Sequence, residues 1–169
     1  MNWFKKLAIL TVAVCLIVLP LVGCAPSEEE PSPPPPAGTL TVTPKVELAF
    51  PGILKSPPVF SGSGWPAKDM ILVEIEVPSG VVIPALEPGE NAPLGCGYCD
   101  ESGNFEIASD AVSILFTFFR TYLIAETMSP NMEEFDPIPL GTYTVVVSAI
   151  PSGASATGTM ELVAPPPKE

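Results

Sequence analysis

The chain has 169 residues, 19 of them acidic against 7 basic, no histidine, and a formal net charge of −12. A surface this acidic is repelled by phosphate backbones and anionic headgroups, which excludes nucleic acid as a partner. Without imidazole there is no Ser/His/Asp or Cys/His arrangement and no histidine base, so no enzymatic role, catalytic residue or cofactor is predicted.

At the N-terminus, Lys5 and Lys6 precede an uncharged run from Leu7 to Val22 that carries Pro20. A membrane-spanning helix needs about 20 apolar residues. This run is shorter, so residues 1–23 read as a cleaved signal peptide rather than a span. Its end, Leu21-Val22-Gly23-Cys24, resembles the lipobox of bacterial lipoproteins. That resemblance implies diacylglycerol on the Cys24 thiol and cleavage in front of it, so that the lipid holds the protein on the extracytoplasmic side of a cell membrane or outer membrane. Loss of Lys5 and Lys6 would move the net charge from −12 to −14. Residues 24–38, with six prolines and Glu28-Glu29-Glu30, read as a disordered or polyproline tether. At about 3.1 Å per residue such a segment reaches up to about 40 Å. A matching Pro-rich tail covers 164–169, which leaves 39–163 as one folded domain.

Within that domain Leu40-Thr41-Val42-Thr43 predicts an edge strand and Lys45 to Phe50 its continuation beyond Pro44. Met70 to Val77 alternates apolar and polar residues and predicts a half-buried strand. Asp100-Glu101-Ser102-Gly103-Asn104 predicts a hairpin turn leading into a strand at Phe105, and its oxygen donors lack the distal bidentate Glu of a calcium loop. Gly141 to Ala149 and Thr157 to Val163 close the set. Short strands separated by turns predict an all-β antiparallel sandwich.

Three segments, Ser61-Gly62-Ser63-Gly64-Trp65-Pro66, Asp100 to Phe105 and Pro139-Leu140-Gly141-Thr142-Tyr143-Thr144-Val145, occur in an order that resembles bacterial immunoglobulin-like repeats. The resemblance implies an immunoglobulin-like sandwich that binds, spaces or presents. The chain is longer than such a repeat at about 78–99 and 108–137, and function is expected in those insertions.

In the second insertion, 111–127 predicts an amphipathic helix capped by Ser109, with a hairpin as the alternative. Val112, Leu115, Phe116, Phe119, Tyr122 and Leu123 would share one face, and Ser113, Thr117, Arg120 and Thr121 the other. The apolar face is expected to pack across an open edge or end of the sandwich, with contact with lipid or a partner-binding face through Phe116, Phe119, Tyr122 and Leu123 as the functional alternatives. In the first insertion Cys96 and Cys99 predict a local disulfide in an oxidising compartment. Thiol redox chemistry, or zinc with help from Asp100, Glu101 or a second molecule, is the alternative; no complete metal site is predicted. The expected function is a membrane-anchored, non-catalytic envelope module with a protein partner, and the alternative is a thiol-active or metal-binding protein using Cys96 and Cys99.

Overall fold

A computed structural model describes residues 35–167 except Ala85 and Glu134. The signal peptide, Cys24 and most of the tether lie outside the described residues, as do Lys168 and Glu169. The protein is built mainly of strands: β1 (Thr39–Val42), β2 (Lys45–Glu47), β3 (Val59–Ser63), β4 (Met70–Ile75), β5 (Ala92–Tyr98), β6 (Phe105–Ala108), β7 (Leu123–Ile124), β8 (Ser129–Pro130), β9 (Gly141–Ile150) and β10 (Ser155–Val163). Among the described residues helix is confined to α1 (Gly52–Lys55), α2 (Ala111–Ser113) and a π-helical turn over Ile114–Phe118.

The strands form a three-stranded sheet in the order β1-β3-β6, a five-stranded sheet in the order β2-β10-β9-β4-β5, and the small β7-β8 ribbon. Every pairing is antiparallel except β10 with β2. Pro44 explains the split between β1 and β2. Lacking an N–H, it cannot continue a ladder, so the chain leaves β3 after Thr43 and joins β10, where Glu161 donates to the Pro44 carbonyl at 2.9 Å.

Alternation then places the core. Ile71, Val73 and Ile75 of β4 and Tyr143, Val145, Val147 and Ala149 of β9 point inward, and Phe60, Phe105, Ile107, Met160 and Leu162 meet them. Fully burying one such side chain contributes about 1.5–3 kcal/mol. The two sheets close on each other at β5 and β6 because β5 carries glycines there. A Cβ on Gly95 or Gly97 would stand 3.1 or 3.0 Å from the Ile107 side chain.

The register defines two poles. Thr39, where β1 begins, faces Ser63, and this proximal pole also holds the turns 64–69, 99–104 and 151–154. The segments 48–58, 76–91 and 109–140 all lie at the opposite, distal pole.

Two expectations need correction. Residues 111–127 are not one helix. Asp110, not Ser109, caps α2, its Oδ1 accepting from the Val112 and Ser113 backbone N–H groups at 2.9 Å each. The wider π turn then shifts the faces, so that Thr117 and Thr121 are buried and Val112 is exposed. Arg120, at φ +49, ends the turn before β7. The Asp100 turn, in its place, is not a hairpin: β5 belongs to the five-stranded sheet and β6 to the three-stranded one, so the turn carries the chain between sheets.

Candidate functional site

Cys96 lies within β5 and Cys99 just after it, so extended backbone separates them. Over three residues at about 3.3 Å each the Cα atoms stand about 10 Å apart, beyond the reach of about 7 Å that a disulfide allows. Odd spacing also turns the side chains to opposite faces: Cys96 is exposed and Cys99 buried, both as free thiols. The expected disulfide is therefore absent from this conformation. Burial, and then the charges of Asp69 and Asp100, push the Cys99 thiol up from its ordinary pKa. That is the reverse of the electropositive setting that activates a thiolate. Among the described residues no group of three or more His, Cys, Asp or Glu side chains is placed to hold a metal.

The Asp100 carboxylate is committed to its turn. Oδ1 accepts from the Ser102 and Asn104 backbone N–H groups at 2.8 Å each, and Oδ2 from Asn104 Nδ2 at 3.1 Å. Hydrogen bonds from Asn104 hold its pKa below the usual carboxylate range. The turn packs on Trp65, whose backbone N–H donates to the Gly103 carbonyl at 3.0 Å and whose Nε1 donates to the Thr39 carbonyl at 2.9 Å. Its ring meets Phe105 edge-on at 5.6 Å. Gly103 sits at φ +75, and a Cβ there would fall 2.1 Å from the Trp65 carbonyl oxygen. Two of the three motif segments thus close the proximal pole. The third supplies Tyr143, whose hydroxyl donates to the Pro139 carbonyl at 2.6 Å.

The distal pole is organised by Arg120. Its guanidinium pairs with the Asp136 carboxylate, donates from Nε to the Asp136 carbonyl at 2.7 Å, and reaches the Val82 carbonyl at 3.4 Å. One side chain thereby ties the first insertion to the second. Beside it Phe119 lies against Phe50 and Phe135, with ring centroids 5.8 and 5.3 Å away.

The four residues expected to form a partner-binding face are consequently divided. Phe119 is buried in this aromatic cluster, Phe116 is half-buried, and Tyr122 and Leu123 are each 44% exposed. The latter two border a shallow groove with Glu126, Pro130, Met132 and Glu133. Asn131 braces it, donating from Nδ2 to the Tyr122 hydroxyl at 2.9 Å and from its backbone to the Tyr122 carbonyl at 2.8 Å. Met128 and Met132, both exposed, carry a signal in the sequence that went unused: bulky apolar residues in a short stretch between Glu126 and Glu133.

No known family matches the sequence, and no curated protein does. Among solved structures, 75% of the chain aligns with 17% of a beta-D-glucoside glucohydrolase from Trichoderma reesei, at 12% identity and a TM-score of 0.35. The chain spans less than a fifth of that enzyme's length, and likeness at this level carries no argument about fold or activity.

Proposed function

We propose that the chain is a lipoprotein held through Cys24 on the extracytoplasmic side of a cell membrane or outer membrane, and that its immunoglobulin-like sandwich acts as a non-catalytic binding, spacing or presenting module at the envelope. The observation that carries this reading is Leu21-Val22-Gly23-Cys24, placed at the end of an uncharged run and directly before a Pro- and Glu-rich segment. Support for the sandwich comes from the strand order, in which a split first strand contributes to both sheets, and from Tyr143. Near the start of β9 its hydroxyl bonds to backbone four residues upstream, like the tyrosine corner of such folds. Support for the non-catalytic role comes from the commitments of Cys99, Asp100 and Tyr143, whose reactive groups are buried or engaged in turns.

The test is the N-terminal mass of the protein recovered from the membrane fraction of an expressing bacterium. The expected result is a chain beginning at a lipid-modified Cys24, with Cys24→Ser losing both the lipid mass and retention in the membrane. An intact Met1 with unmodified Cys24 would overturn the reading.

A further inference from the structure

Exposed apolar surface is unevenly shared between the poles. Among the described residues, the strongly exposed large apolar side chains at the proximal pole are Tyr98 and Ile150, whereas Val82, Leu123, Met128, Met132 and Leu140 all stand at the distal one. Val82 and Met128 are 70% and 72% exposed. The connecting segments there are also fixed in place: Arg120 bonds Val82 and Asp136, and Asn131 bonds Tyr122. A rigid apolar surface takes a partner at less entropic cost than a mobile one.

Charge narrows the choice of occupant. The groove beside Leu123 and Met132 is lined by Glu126 and Glu133, and Glu87 and Glu90 belong to the neighbouring insertion. Among the described residues the cations of this pole are Lys45, Lys55 and Arg120, and Arg120 is already paired with Asp136. An anionic membrane and a second copy of this acidic chain are both repelled by such a surface. A polypeptide with Lys or Arg flanking a bulky apolar side chain complements it: the apolar group enters the groove and the cations meet its acidic rim.

We propose that the distal pole is a docking surface for a basic protein segment, centred on the groove between Tyr122–Glu126 and Pro130–Glu133, and that this segment anchors there through an apolar side chain. The proposal takes the binding role given above as its premise and assigns it a surface and a partner chemistry. Met132 suits such a site because a flexible thioether adapts to differing apolar shapes.

The test uses the full chain in non-ionic detergent with three short synthetic peptides, one of Lys and Leu, one of Lys and Ser, and one of Glu and Leu, followed by calorimetry. The Lys/Leu peptide is expected to bind saturably. Leu123→Ser with Met132→Ser, and separately Glu126→Lys with Glu133→Lys, should each weaken it by about tenfold or more. Tyr98→Ser with Ile150→Ser at the other pole should leave it unchanged, and each variant's unfolding midpoint is measured alongside to show that it folds. Equal binding of the Lys/Ser peptide, preference for the Glu/Leu peptide, indifference to the distal substitutions, or displacement by phosphatidylglycerol vesicles would each overturn the proposal. Lipid attachment at Cys24 does not enter this assay, so the two readings fail separately.

Discussion

Thr117, in the π turn, and Thr121, just beyond it, are each 1% exposed, and the same substitution in each is expected to act with opposite sign. Thr117 Oγ1 donates to the Pro93 carbonyl at 2.9 Å, joining the π turn to β5. Thr117→Val keeps the shape and strands that carbonyl, for an expected loss of about 1–3 kcal/mol. Thr121 Oγ1 is buried with no hydrogen-bond partner. Thr121→Val removes an unsatisfied hydroxyl, whose burial costs about 1–3 kcal/mol, and is expected to be neutral or to stabilise by about 1 kcal/mol. The two variants then differ by about 1–4 kcal/mol, and with a urea m-value of about 1–3 kcal/mol/M their midpoints should part by roughly 0.3–4 M. Buried Trp65 supplies the fluorescence readout. Equal destabilisation by both substitutions would mean that Thr121 has a partner, such as a buried water. Two silent substitutions would restore the solvent-facing helix surface that periodicity suggests, and would refute the packing described above.

Three further outcomes are expected. Iodoacetamide should label Cys96 in the folded protein and Cys99 only after unfolding, as read by peptide mass; a peptide pair joined through these sulfurs would contradict the strand geometry. Gly103→Ala should destabilise by about 3 kcal/mol or more, from its φ of +75 and the 2.1 Å approach to the Trp65 carbonyl, and should shift Trp65 emission to the red; a change within about 0.5 kcal/mol counts against that contact. Burial raises the Tyr143 hydroxyl pKa above its ordinary value, with the Arg120 charge opposing. A raised folded pKa gives stability that is complete below the unfolded value of about 10 and is lost as pH climbs through the folded value. Tyr143→Phe should therefore flatten the alkaline limb of a stability profile, and an unchanged limb would assign it to other groups.

β4 and β9 were legible because alternation of large apolar residues leaves one register that buries them. β5 was not. Its sequence, Ala92-Pro93-Leu94-Gly95-Cys96-Gly97-Tyr98, lacks β-branched residues and reads as loop, yet its glycines are what admits Ile107 against it. Strand propensity reflects side-chain packing, and here the packing demands that side chains be absent. The Cys96-x-x-Cys99 spacing misled for a related reason. Compartment and spacing favour a disulfide, but extended backbone sets the reach. For 111–127 a period of 100° per residue gave way to a π turn and to Arg120 at positive φ, a position that residue type alone does not mark. Tyr122 and Leu123 stand out in the sequence as bulky apolar residues, while Met132 joins them at one groove only once the β7-β8 ribbon folds back on itself.

The parallel pairing of β2 with β10 also governs how the fold bears load. β1 begins at the proximal pole and β10 ends at the distal one, so tension applied through the two ends of the domain runs along the strands. Between β2 and β10 that tension acts in opposite directions on neighbouring parallel strands, across the bonds from Glu161 to Pro44 and from Leu48 to Val163. Those bonds are sheared together rather than peeled one at a time, so once β1 has parted from β3 a short ladder of three residue pairs takes up the load.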